Sequence, residues 1–266
     1  MRVLVRGGNP AAVTLATLLK NAGYNVVLDP CSRRFYGVNI FDCFTERHLE
    51  LLGVEHQNVS EGRISCVTVD KDVDLTLPFE TYVCRVTDTL ERAASYNELE
   101  VIFAGKINWK AFDVVVDCRY ADEGDIILSS HVECCKNESG KAFIKVDDNQ
   151  VMFSIGFGKG LELQYHVAAN NIHNEKTPPT FSYKQYRLKP EHQYINRMQL
   201  LLSPLGTASA EIAAAHLIFH KITRRNTALE EDILSFSAEF LKNTVIIGNK
   251  PNSVDFTRLW IDFLTR

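Results

Sequence analysis

Residues 2–29 read RVLVRGGNPAAVTLATLLKNAGYNVVLD, and the way this stretch folds decides the class of the whole chain. Residues 2–6 are a short apolar run suited to a buried strand. Residues 10–22 carry Leu15, Leu18, Leu19 and Ala22 at i, i+3, i+4 and i+7, one apolar stripe of a helix. Pro10 stands where a first-turn proline is tolerated, because its missing N–H has no helical partner in any case. Asn9 is then the natural N-cap, and Gly23 closes the helix beyond its last turn. Residues 24–28 form a second strand that ends at Asp29-Pro30. Strand, turn, helix, turn and strand in under thirty residues make a βαβ unit, whose strands must be parallel and whose crossover is right-handed.

Such a unit can hold a dinucleotide if its first turn meets three demands. The chain must turn sharply, its backbone must approach the pyrophosphate closely, and the helix must pack tightly on the strand. Gly7 serves the first demand. The second falls on Asn9 and the third on Ala12, an accepted replacement for glycine. The free N–H groups and dipole at the helix start favour an anion. Gly7, Gly8, Asn9, Ala11 and Ala12 are therefore candidate phosphate contacts, with the Asn9 side chain expected to project toward the phosphate. An acid about twenty residues on takes the ribose hydroxyls, and Asp29 stands in that place. The same βαβ unit also folds with an empty cleft.

Composition narrows the field. The chain has 266 residues, 45% of them hydrophobic, enough for a sizeable core. Its formal net charge of -4 gives no field for gathering nucleic acid. No apolar stretch approaches the length of a membrane span. The opening strand leaves no place for a secretory leader. The 7 cysteines are odd in number and include no C-x-x-C pair, which points to reduced thiols and a cytoplasmic protein. No metal site is expected. Cys134 and Cys135 lack ligands at metal spacing, and His216 and His220 lack the Glu directly after the first His that a zinc helix requires.

Further along, residues 31–44 are expected to be irregular. Thr45 caps a short helix, ERHLELL, that stops at Gly53. Residues 63–83 alternate as two strands with Pro78 between them. Residues 85–96 form a helix, and 99–103 and 112–116 form strands. From 126 to 200 short alternating segments predict an antiparallel sheet. Helices are predicted over 207–224, 228–242 and 253–265. The fold class is α/β: a Rossmann-like βαβ nucleotide-binding domain with an antiparallel β-rich middle region of substrate-binding type and C-terminal helices. Residues 1–125 and 201–266 are assigned to the first part and 126–200 to the second.

The opening stretch resembles that of the FAD-dependent monooxygenases of the aromatic hydroxylase type. Their GGGPAGLTLA-like turn and helix is matched in order by Gly7, Pro10, Ala11, Thr14, Leu15 and Ala16. GVNIFDCFTERHLELLGV stands where that family has a glycine-bearing loop and a short helix. RVTDTLERAA, beginning at Arg85, stands where that family has an arginine opening an R-x-x-L-x-x-x-L helix. FDVVVDCRYAD at 112–122 resembles its DLVVGADG strand and turn, and SPLGTASAEIAAAHLI resembles the loop before its long helix. The resemblance implies FAD as cofactor and NAD(P)H as electron donor. It places Asp29 on the adenosine ribose, Arg33 or Arg34 and Arg85 at the flavin phosphates or ring, and Asp117 at the acidic turn. Pro204, Leu205 and Gly206 are placed near the isoalloxazine. The substrate implied is small and apolar or aromatic.

The departures cluster at the cofactor. Two motif glycines are Asn9 and Ala12, the ADG glycine is absent, and MQLLLSPLG lacks the Gly-Asp pair that precedes the proline loop. Two readings follow: a flavin-dependent oxidoreductase, or a non-catalytic relative that has lost its cofactor and serves as an interaction or assembly protein with a protein partner. A small NAD-type reductase or ligand-binding module is a third. Elsewhere, GFGKG at 156–160 reads as a hairpin turn. Lys221, Arg224 and Arg225 suit a helix C-terminus, and Asp122, Glu123 and Asp125 suit a solvated loop. Tyr165, Tyr183, Tyr186 and Tyr194 suit an antiparallel sheet. No Ser-His-Asp or Cys-His arrangement supports nucleophilic catalysis.

Overall fold

The computed structural model describes residues 1–69, 73–103, 107–120, 126–134, 140–147, 150–157, 160–169, 183–188, 205–223 and 253–265. The first half runs β1 (Arg2–Arg6), α1 (Pro10–Asn21), β2 (Asn25–Asp29), β3 (Phe41–Thr45), α2 (Glu46–Leu52), β4 (Ser60–Val69), β5 (Val73–Arg85), α3 (Val86–Tyr96), β6 (Glu100–Val101) and β7 (Val114–Asp117). The second runs β8 (Ile126–Cys134), β9 (Lys141–Asp147), β10 (Gln150–Phe157), β11 (Leu161–Ala169), β12 (Tyr183–Leu188), α4 (Thr207–Thr223) and α5 (Ser253–Thr265). The helix expected over 228–242 lies outside the described residues, as do Arg224, Arg225, Asp122, Glu123, Asp125 and Tyr194.

Local chemistry explains the helix ends. The Asn9 side chain accepts the Ala12 N–H, and Pro10 follows it in the first turn. Gly23, at φ +84°, closes the other end. Thr45 caps α2 in a reciprocal box: its hydroxyl accepts the His48 N–H while His48 Nδ1 accepts the Thr45 N–H. Gly53 then ends α2 in the left-handed region, at φ +67°.

A four-stranded sheet has the order β6-β2-β1-β7, and all its pairs are parallel. A larger sheet has the order β12-β8-β11-β10-β9-β4-β5-β3 and is antiparallel except where β4 meets β9. It unites three strands from before residue 125 with five from after it. The turn containing Gly160 joins β10 to β11, which pair antiparallel with Phe157 opposite Leu161.

Two expectations are corrected here. Residues 41–44 are not irregular; with Thr45 they form β3, paired antiparallel with the end of β5. Nor does Pro78 separate two strands, because it lies within β5. Pairing with β4 breaks between Ile64 and Cys66, so residues 77–80 have no partner there, and β3 pairs only from Thr81 onward. Proline's missing N–H therefore removes no ladder bond.

One core lies between the parallel sheet and α1, α2, α3 and α4, around Val3, Val5, Leu15, Leu19, Leu28 and Leu90. The other covers the larger sheet, around Ile64, Phe153, Phe157 and Trp260 of α5. Helix α4 belongs to both. Ala208, Ile212 and Phe219 enter the first core, and Ala210 and Ala213 the second. Its many alanines let α1 pack closely along it.

Candidate functional site

The β1–α1 loop is where the sequence placed a phosphate. Gly7 has φ +131°, and a Cβ there would come within 3.2–3.3 Å of the Cys118 carbonyl and the Ala12 side chain. Its N–H donates to the Asp29 carbonyl at 2.8 Å, and the Cys118 N–H donates to the Arg6 carbonyl at 2.7 Å. The loop is thus clamped between the ends of β2 and β7, and only glycine satisfies that geometry.

Asn9 is the N-cap expected of it, but its side chain does not project outward. It is fully buried; Oδ1 accepts the Ala12 N–H at 3.0 Å, and Nδ2 donates to the Cys118 carbonyl at 2.6 Å. The donors of the first turn can then be accounted for one by one. Pro10 has none. Ala11 N–H donates to Glu211 Oε2 at 3.3 Å, Ala12 N–H to Asn9 Oδ1, and Val13 N–H to the Asn9 carbonyl at 3.1 Å.

Glu211 comes from α4 and is fully buried. Its other oxygen accepts the Tyr120 hydroxyl at 2.7 Å. Burial drives its pKa well above the carboxylate range; the Tyr120 and Ala11 bonds oppose that rise, and the charge of Asp42 adds to it. A buried carboxyl whose pKa is raised thus sits on the N-terminus of α1. Tyr36 closes the other side. Its N–H donates to the Gly8 carbonyl at 2.9 Å, and its ring meets Tyr120 edge to face at 5.6 Å. A Cβ on Gly8 would touch Pro30 and the Tyr36 ring at 3.0 Å, so the space over this loop is filled by protein. Burial raises the Tyr36 phenol to about 12.

Asp29 lies at the end of β2 as expected. Arg6 pairs with it at 3.2 Å, and its Oδ1 accepts the Cys31 N–H at 2.9 Å. Arg6 also reaches Asp117 at 3.8 Å, and Arg119 pairs with Asp117 at 2.6 Å. Burial pushes the Asp117 carboxyl up, but the Arg119 hydrogen bonds and the charges of Arg119 and Arg6 outweigh it and hold the group below its ordinary value.

The structure therefore gathers Gly7, Gly8, Asn9, Ala11, Ala12, Asp29 and Asp117 around one loop. Among the described residues, Arg33, Arg34 and Arg85 make no hydrogen bond or ion pair with that loop. Arg33 and Arg34 are exposed beyond β2. Arg85, also exposed, pairs with Asp88 at 3.8 Å and lies over the Phe41 ring. Leu205 and Gly206 are buried at the start of α4, and Pro204 lies outside the described residues.

Sequence reasoning missed the residues around this loop, Arg6, Tyr36, Tyr120 and Glu211, and also Asp42 at the start of α4. Asp42 is fully buried at the start of α4. It accepts the Cys43 N–H at 2.8 Å, the Ala208 N–H and the Asn39 amide each at 3.1 Å, and the Thr207 hydroxyl. Burial raises it to about 6 against these four bonds. The available signal was a lone acid in an apolar run: Asp42 in IFDCF and Glu211 in TASAEIAAAHL. Two helix starts, those of α1 and α4, are thus each occupied by a buried acid of this chain.

A pH test of Glu211 follows. A carboxyl whose pKa is raised by burial stabilises the fold below its ordinary value of 4.5, and that contribution is lost as pH rises through its folded value. Glu211→Gln removes the titration. Its melting temperature should match the wild type at about pH 4 and exceed it increasingly toward about pH 8. Thermal unfolding across that range checks this, and a constant difference would contradict it.

No family model matches the chain, and no curated protein matches it in sequence. Solved structures do match in fold. A geranylgeranyl bacteriochlorophyll reductase-like protein from Thermoplasma acidophilum is 12% identical, with 99% of this chain and 89% of that chain covered at a TM-score of 0.61. The tetrameric form of 2-methyl-3-hydroxypyridine-5-carboxylic acid oxygenase is 12% identical, with 100% and 97% covered at 0.61. HpxO from Klebsiella pneumoniae, complexed with FAD and uric acid, is 9% identical, with 99% and 92% covered at 0.58. The parallel sheet with its βαβ start and the larger, mostly antiparallel sheet beside it give this chain the fold of the flavoprotein hydroxylases.

Proposed function

We propose that this chain is a non-catalytic relative of the flavoprotein hydroxylases, one that holds no dinucleotide and acts as an interaction or assembly protein. The observation that carries this reading is the Glu211 carboxyl on the Ala11 N–H. A pyrophosphate at a helix start needs free N–H donors and close access to the backbone. Each main-chain N–H in the first turn of α1 already has an acceptor within the protein, and Pro30 and Tyr36 cover Gly8. The residues present do not fit the phosphates of FAD. Asp42 supports the same reading, since it lies on the first turn of α4 as Glu211 lies on that of α1.

One observation favours the other reading, an FAD-dependent monooxygenase with a small apolar or aromatic substrate and NAD(P)H as donor. Asp29 sits at the end of β2 beside the glycine loop, where a ribose-binding acid belongs. It is already paired with Arg6.

The test is direct. The purified chain should be colourless, release no flavin on denaturation, and leave the fluorescence of added FAD unchanged. NAD(P)H should likewise show no binding by calorimetry. Stoichiometric flavin in the purified protein would sink the proposal and restore the redox reading.

A further inference from the structure

We propose that the groove between α2 and α3 docks a segment of a partner protein that carries two or more arginine or lysine side chains. The inference takes further the reading of the chain as an interaction protein, and it concerns a surface separate from the β1–α1 loop. The groove has a volume of ≈ 980 Å³. That is at the upper end for small-ligand pockets and far more than one side chain fills. Leu49 and Val54, both buried, give it an apolar lining.

Its charge is one-sided. Glu46, Glu50 and Glu55 line it against the single cation Arg92. All four are exposed, and among the described residues none of the three carboxylates forms an ion pair. The only hydrogen bond to them among the described residues is from the Asn58 amide to Glu55, at 3.2 Å. Glu46 and Glu50 stand one turn apart on α2, and Glu55 lies beyond the Gly53 stop. Cations that meet all three must be spread along a chain. Tyr96 completes the groove. It is 70% exposed, and its ring lies over Gly53, where any Cβ would overlap it. An exposed aromatic face beside carboxylates suits a guanidinium or ammonium group together with its aliphatic stem.

The groove is also held in shape before anything binds. The Asn97 amide of the α3 cap donates to the Leu52 carbonyl at 2.9 Å, joining the ends of the two helices. His56 stacks on Tyr82 at 4.4 Å with an interplanar angle of 10°, fixing the loop that follows α2. Preorganisation of this kind lowers the ordering cost of association.

The full chain should bind a fluorescent oligo-arginine peptide, with affinity that falls as salt rises, and should not bind the oligo-glutamate counterpart. The triple variant Glu46→Gln, Glu50→Gln, Glu55→Gln should weaken binding about tenfold, at roughly twofold for each exposed pair. Tyr96→Ala should weaken it a few-fold, and Glu100→Gln, an exposed acid on β6, should leave it unchanged. Absence of peptide binding, or an equal loss in the Glu100 control, overturns the proposal. So does spermine binding as tightly through the same three carboxylates, which would make the groove a polyamine site. Flavin uptake would sink the function proposed above without altering any of these readings.

Discussion

Replacing Asp42 by alanine should destabilise the protein by about 3–5 kcal/mol, the range for removing one member of a fully buried polar cluster. The loss strands the Cys43 and Ala208 N–H groups, the Asn39 amide and the Thr207 hydroxyl, all of which now donate to one carboxyl. Asn39 and Thr207 retain a 3.1 Å bond to each other, which keeps the total below the sum of four orphaned groups. The effect depends on pH. Burial raises the Asp42 pKa from 3.8 to about 6, so its contribution is full below the lower value and is lost as pH rises through the upper one. The deficit of the alanine variant should therefore narrow between those two values. Denaturant unfolding across this range measures it, and a deficit under about 1 kcal/mol would show that water replaces the carboxyl without penalty.

Gly206→Ala should be as damaging for a related reason. Gly206 has φ +102°, a region L residues rarely adopt, and its Cβ would overlap Asp42 Oδ1 while lying 3.1–3.2 Å from Cys43. Backbone strain of about 1–3 kcal/mol and a similar overpacking term are expected together. The two substitutions should not be additive. With Asp42 already removed, the overlap with its carboxyl disappears and the backbone term remains. A double-mutant cycle should return a coupling of at least about 1 kcal/mol. Strict additivity would mean that the two residues do not meet as described.

The part of the fold legible in the sequence was the part set locally. Asn9, Pro10 and Gly23 punctuate α1 in the order its ends require, and Thr45 and Gly53 do the same for α2. The alternating segments from 126 to 188 became β8 to β12. What escaped depended on partners distant in the chain. Residues 41–45 become a strand because β5 offers them an edge, and Pro78 is tolerated because the ladder has already broken beside it. The candidate site divided in the same way. Its loop, its cap and the place of Asp29 at the end of β2 were readable from spacing. The closing of the loop was not, because Glu211 arrives from 200 residues away; likewise, at the start of α4, Asp42 acquires its role only when that helix is laid against it. A lone acid in an apolar run shows that a partner exists without showing which one.

That separation also orders events on the ribosome. The first turn of α1 is complete only when Glu211 reaches the Ala11 N–H, across 200 positions. At about 5–20 residues added per second, the amino-terminal βαβ unit waits roughly 10–40 s for its stopper. During translation the Ala11 N–H has no partner from the chain, and it gains one only when α4 docks.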